Sequence, residues 1–223
     1  MQEKEMSLKI KVGLRPSLLA FKQFEEIQSR LPLVLMNTVL IKTTGDSDKS
    51  TPLTSTGNGR FFTDEIEQAL LEGLIDAAIH SAKDLEQDVH ENLLVIAITK
   101  AVGQFDCLVS HENLTLDQLP LGATIGTSSQ ARKDGITRYR KDLVIKDIRG
   151  NVDDRLRQLD RGDFDAIIVA DAALIRLGLQ GRISQFIPED IIKPHPLQGR
   201  LAIQIKKDRK DLMQIFKGLD EKE

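Results

Sequence analysis

The chain has 223 residues, 40% hydrophobic and 29% charged, with a formal net charge of −3 and one cysteine. That composition suits one large globular domain or two of about 100–120 residues; it argues against nucleic acid as a partner, and a lone cysteine excludes an intramolecular disulfide or a cysteine-based zinc site. No apolar run is long enough to span a bilayer and the N-terminus, MQEKEMSLK, is polar rather than a secretory signal, so no membrane contact is expected and the expected compartment is the cytoplasm.

In chain order, residues 8–14 alternate as a strand, and Ser17 caps an amphipathic helix reaching about residue 30. Residues 33–42 are rich in Val, Leu, Ile and Thr and predict a second strand. Residues 43–60, TTGDSDKSTPLTSTGNGR, have no periodicity. A structureless loop of that length is uncommon inside a compact domain, and residues 44–60 are read as a lid that orders on ligand. A helix is expected over 61–72, strands over 77–80 and 93–101, and another strand from Asp106 after Val102-Gly103-Gln104. The pattern then runs strand 124–125, helix 128–140, strand 143–148, helix 152–159, strand 166–170 and helix 171–177. Pro188, Pro194 and Pro196 mark a linker, followed by a strand at 201–205 and a helix at 208–218. Alternating strands and helices predict an α/β fold of two hinged domains with mixed, mostly parallel sheets, in the manner of periplasmic binding proteins. The expected division is 7–101 plus 197–219 for the first domain and 102–196 for the second, with a ligand cleft at the carboxyl ends of strands.

Residues 125–155, IGTSSQARKDGITRYRKDLVIKDIRGNVDDR, concentrate the chemistry. Gly126-Thr127-Ser128-Ser129 and Gly150-Asn151 each end an apolar run and open a helix, where unpaired N–H groups and the helix dipole suit an anion. Arg132, Arg149 and Arg155 cluster at the same turns, and guanidinium forks match carboxylate oxygens. An ordinary pair of capped surface helices with solvated arginines would read similarly. The whole set at two adjacent turns favours a site for a ligand with several carboxylates. The four histidines show no metal-ligand spacing, so no metal is expected, and no glycine-rich nucleotide motif is present.

With these residues in view the chain resembles the hydroxymethylbilane synthase, or porphobilinogen deaminase, family. Six blocks carry the resemblance in order: VGLRPSLLA at 12–20, His80-Ser81-Ala82-Lys83-Asp84, Gly126-Thr127-Ser128-Ser129, Ile148-Arg149-Gly150-Asn151 with Arg155, residues 165–168 through 176–179, and Gln198-Gly199 with Leu201-Ala202-Ile203. The resemblance implies a transferase of haem biosynthesis that joins four porphobilinogen units and releases ammonia from each. It implies a dipyrromethane cofactor, which the family attaches through a thioether to a cysteine of a small third domain. It further implies that pyrrole carboxylates are held by Arg15, Ser17, Lys83, Ser128, Ser129, Arg132, Arg149, Arg155, Arg176 and Gln198. Asp84 matches the family's catalytic acid. Read alone, Asp84 is more readily an idle loop carboxylate beside Lys83; the HSxKD context reverses that and gives it the role.

Several positions depart from the family pattern. Ala131 stands where the family has the first of two adjacent arginines, Gly59 (beside Arg60) where a lysine is common, and Phe105 where an arginine is common. Each removes a cation from a carboxylate site, at about 1.5–3 kcal/mol of binding for a lost charged hydrogen bond. No third domain is expected and the attachment cysteine has no counterpart; Cys107 reads as a small buried hydrophobe. Three readings follow: a compact hydroxymethylbilane synthase, expected as a monomer, that keeps the cleft chemistry on porphobilinogen and holds its primer non-covalently or not in the usual way; a degenerate homologue that binds pyrrole or other carboxylates without turnover; and a two-domain solute-binding protein.

Overall fold

The computed structural model describes residues 9–47, 59–85 and 89–221, and for 59 and 60 the backbone only. Most of the proposed lid therefore lies outside the described residues. The chain divides into two compact units: Met1–Thr44 with Gly59–Lys100 and Leu201–Glu223, and Gly45–Asn58 with Ala101–Arg200.

The first unit is a five-stranded sheet. In chain order its elements are β1 (Lys9–Leu14), α1 (Leu18–Arg30), β2 (Leu35–Leu40), a single helical turn α2 (Thr44–Ser47) that straddles the unit boundary at Thr44, α3 (Asp64–Leu71), β3 (Ala77–Ser81) and β4 (Leu93–Ile98). The second unit contributes β5 (Asp106–Ser110), β6 (Thr124–Gly126), α4 (Gln130–Tyr139), β7 (Val144–Lys146), α5 (Val152–Asp160), β8 (Ala166–Ala170), α6 (Asp171–Arg176) and β9 (Gln185–Phe186). The chain then returns to the first unit with β10 (Leu201–Lys206) and α7 (Lys210–Phe216).

Spatial order is β2-β1-β3-β10-β4 in one sheet and β7-β6-β8-β5-β9 in the other. In both, the first three strands run parallel and the fourth is antiparallel to both of its neighbours. The reversed strand is β5, the first strand of the second unit, in one sheet and β10, the strand by which the chain returns to the first unit, in the other. Both faces of each sheet are covered, which explains the unbroken apolar runs: along β8, Ala166 and Ile168 pack into one cluster while Ile167 and Val169 pack into the other. In the first unit Ile10, Val12, Leu14 and Ile203 face α1 and α7, whereas Ala78 faces Ile66 and Leu70 of α3.

Three sequence expectations need correction. The helix expected over 61–72 is a 3-10 turn (Gly59–Phe62) followed by α3, because the chain breaks at the buried Thr63. Residues 43–60 begin with a helical turn, α2, whose Thr44 N–H donates to Glu65 at 2.7 Å. Two-residue β9 was absent from the expected elements, since Gln185 and Phe186 are too short a run to show periodicity.

Candidate functional site

Two groups of predicted residues sit at the carboxyl ends of strands, one in each unit. In the first unit, β1 ends at Leu14 and Arg15 follows it. The Arg15 guanidinium carbon lies 4.3 Å over the ring of Phe62, a cation–π contact. Ser17 Oγ accepts from the Ala20 N–H at 3.1 Å and so caps α1, as its sequence position predicts. β3 ends at Ser81, and the 3-10 turn Ala82–Asp84 carries Lys83 and Asp84, both half-buried. That turn packs against the turn bearing Phe62. Ser81 Oγ accepts from Gln23 Nε2 of α1 at 3.0 Å. His80, buried one residue earlier, points its Nε2 at Gln204 Oε1, 3.1 Å away. Burial lowers the His80 pKa to about 4; the Gln204 hydrogen bond opposes this and the Arg15 charge adds to it.

In the second unit the two motifs singled out by sequence are joined. Ser128 Oγ donates to the Ile148 carbonyl at 2.7 Å and accepts from the Ile148 N–H at 3.1 Å. The loop after β6 is thereby stitched to the loop after β7, its parallel neighbour. Lys133 of α4 adds an ion pair to Asp147 at 2.8 Å, and this bond holds the Asp147 carboxyl below its ordinary range. Gly150 has φ +96°, a left-handed turn that a side chain would strain. Arg155 Nε donates to the Gly150 carbonyl at 3.0 Å and Gln158 Nε2 to the Arg149 carbonyl at 2.9 Å, so the Arg149 turn is built rigidly.

The two helix N-termini are not equivalent. α4 has no side-chain cap from Ser129 and no acid in its first turn. α5 carries Asp153 and Asp154 there, and the Asn151 N–H already donates to Asp154 Oδ2 at 3.2 Å. The dipole of α5 is largely answered internally, so of the two turns α4 offers the better anion site.

Three predicted ligand residues have structural engagements that the sequence did not reveal. Arg132 is buried, donating from Nη2 to Asp106 at 2.7 Å and from Nη1 to the Ile168 carbonyl at 3.1 Å. Gln198 Nε2 donates to the same Asp106 oxygen at 2.9 Å. Arg176 Nη2 donates to the Gly199 carbonyl at 2.9 Å. Asp106, which is 3% exposed, is therefore the hub that sequence reading missed. A signal existed: an aspartate opening the apolar run DCLVS must be paired if the strand is buried. Ala131, by contrast, is exposed on the first turn of α4. Of the two positions where the family carries arginines, this chain keeps the buried one and lacks the exposed one. Phe105 is 42% exposed and meets Phe186 edge-on, with ring centroids 6.1 Å apart. The side chain of Arg60, beside Gly59, lies outside the described residues.

Cys107 is fully buried, and its Sγ donates to the Val169 carbonyl at 3.4 Å. Burial pushes the thiol pKa up to about 12, with the Asp171 charge adding to it, as for a small buried hydrophobe. Among the described residues no cluster of His, Cys, Asp and Glu could hold a metal ion, and no helix is long and apolar enough to cross a membrane.

Comparison with known proteins adds to this geometry. Residues 10–214 match the family model "Porphobilinogen deaminase, dipyromethane cofactor binding domain". The porphobilinogen deaminase of Natranaerobius thermophilus is 38% identical over 221 residues, covering 97% of this chain and 71% of that protein. Those of Brevibacillus brevis and Neisseria meningitidis are 40% and 39% identical, with 70% of each relative covered. Among solved structures, a periplasmic substrate-binding protein of an ABC transporter from Coxiella burnetii superposes with a TM-score of 0.57 at 17% identity, covering 94% of this chain and 91% of that one. The periplasmic VFT2 domain of Bordetella pertussis BvgS gives 0.51 at 14%, covering 94% and 85%. These last two show a shared fold.

Proposed function

The chain belongs to the porphobilinogen deaminase family, and from that premise we propose that it condenses porphobilinogen units into a linear tetrapyrrole with loss of ammonia, as a hydroxymethylbilane synthase. The observation that carries the reading is the Ser128–Ile148 stitch. It makes one surface of two loops whose residue types suit pyrrole acetates and propionates: Ser129, the open N-terminus of α4, Arg149 and Arg155. Arg132 and Gln198 act from Asp106, and Arg176 from the Gly199 carbonyl, to set the shape of that surface. In the first unit Arg15, Ser17 and Lys83 bind carboxylates beside Asp84.

The dipyrromethane group fits this donor set, since α4 presents N–H groups with neither cap nor acid in its first turn. When bound, it supplies the free pyrrole carbon to which the first porphobilinogen is joined. Asp84 performs the proton chemistry. Its carboxyl hands a proton to the aminomethyl nitrogen of porphobilinogen as the C–N bond breaks, and ammonia leaves. The resulting carboxylate stabilises the azafulvenium cation in a half-buried setting, where such a charge counts for more than in water. When the new C–C bond has formed, the same carboxylate takes the proton lost from the attacking pyrrole carbon.

Exposed Ala131 favours one competing reading, binding without turnover. Ammonia release decides between the two. With porphobilinogen and preformed primer supplied, the protein should release one ammonia per porphobilinogen consumed and develop linear tetrapyrrole absorbance. Saturable porphobilinogen binding with no ammonia would establish the binding-only reading instead.

A further inference from the structure

Behind the Lys83–Asp84 turn runs a polar chain that the chemistry above does not use. Glu67 of α3 accepts from Gln204 Nε2 at 2.6 Å, and Gln204 Oε1 lies 3.1 Å from His80 Nε2. His80 and Gln204 occupy adjacent antiparallel strands, with Ala202 opposite His80, so the two side chains are diagonal neighbours on the face that α3 covers. Both are buried, and only Glu67 reaches the half-exposed rim.

The chain has a fixed direction. A carboxylate only accepts hydrogen bonds, so the amide end facing Glu67 must be the NH2 group. That leaves the Gln204 carbonyl facing His80. A carbonyl also only accepts, so His80 must carry its proton on Nε2. The ring is kept neutral by burial and by the nearby Arg15 charge. We infer that Glu67, acting through Gln204, locks His80 in the Nε2–H tautomer and thereby positions the Ser81–Asp84 turn. His80 is a positioning residue in this scheme and Asp84 the group that meets substrate. The turn is thus held from two sides, by His80 on β10 and by Ser81 on Gln23 of α1. The catalytic part of the inference rests on the Asp84 reading; the tautomer does not.

Long-range proton–nitrogen correlation spectra of the 15N-labelled full chain at pH 7 read the tautomer directly. The parent should show a neutral His80 protonated on Nε2. Glu67→Gln, whose amide can donate or accept, should remove the directionality, give His80 both tautomers and shift the amide signals of residues 81–84. Glu72→Gln, at the C-cap of the same helix, serves as the control and should change none of these. In turnover, Glu67→Gln should lower kcat for ammonia release by about tenfold with KM for porphobilinogen within about twofold, the signature of a displaced group rather than lost binding. A parent His80 protonated on Nδ1, or Glu67→Gln spectra in which the 81–84 amides match the parent, would overturn the inference. If the parent releases no ammonia, the Asp84 reading fails, and the tautomer and amide signals still decide this one.

Discussion

Arg132 and Ala131 are neighbours with opposite environments. Arg132 turns inward to Asp106 and the Ile168 carbonyl; Ala131 faces out from the first turn of α4. Sequence alone identifies which residue types occupy the two positions but not which one faces the core, because one step along a helix turns the side chain by about 100°. Ala131→Arg should therefore place a guanidinium beside the open α4 N-terminus. The expected result is porphobilinogen bound about tenfold more tightly by calorimetry, the size of one charge-assisted hydrogen bond, with the fold unchanged. Unchanged affinity would show that the α4 turn does not meet ligand carboxylate. Asp106 and Phe62 were not legible as partners, since Arg132 and Arg15 reach them across 26 and 47 positions of sequence respectively. Ser17, by contrast, was legible because a cap and its N–H are three residues apart.

At the scale of elements, most strands and helices could be read from periodicity and caps, and the joining of the 126–129 and 148–151 loops follows from their strands being parallel neighbours. What periodicity could not show was internal compensation: the carboxylates of Asp153 and Asp154 occupy the α5 terminus that the glycine-led turn seemed to leave for a ligand. It also could not show close backbone approach. Gly199 has φ +79°, and a Cβ there would lie 1.7 Å from the Gly103 carbonyl oxygen. Its own carbonyl accepts from Arg176 and from the Val102 N–H, so the 198–199 segment is pinned on several sides. Gly199→Ala should cost about 2 kcal/mol or more in urea unfolding, since both the positive φ and the contact with backbone resist a methyl group. Gly181→Ala, where no atom lies within 4 Å of the new Cβ, should stay within about 0.5 kcal/mol of the parent.

At the scale of the whole molecule, two sheets of the same topology are built from one chain, whose reversed strand is the first strand of the second unit and the returning strand of the first. Stability should depend on pH through the buried His80. Its pKa of about 4 in the folded protein lies below the ordinary 6.5, so the unfolded chain takes up a proton first as pH falls. The stabilisation is complete above 6.5 and is lost between 6.5 and about 4. Unfolding free energy should drop by about 2 kcal/mol from pH 7 to pH 5, and His80→Gln should remove that slope. The carboxyls of Asp147 and Asp211, held low by hydrogen bonds from Lys133 and Arg209, act further down. Their contribution is present above the ordinary carboxylate pKa and is lost as pH falls from there through their lowered folded values.

Asp84→Asn separates the proton and charge chemistry proposed for Asp84 from substrate binding. Asparagine at this position keeps nearly the same shape and can still accept a hydrogen bond, but it carries no charge and delivers no proton. Ammonia release should be compared for the parent and Asp84→Asn, with preformed primer supplied and porphobilinogen affinity measured in parallel. The expected result is an active parent and an Asp84→Asn variant that binds porphobilinogen within about threefold of the parent while turning over about 10²–10⁴-fold more slowly. An active parent with an equally active Asp84→Asn variant would contradict it.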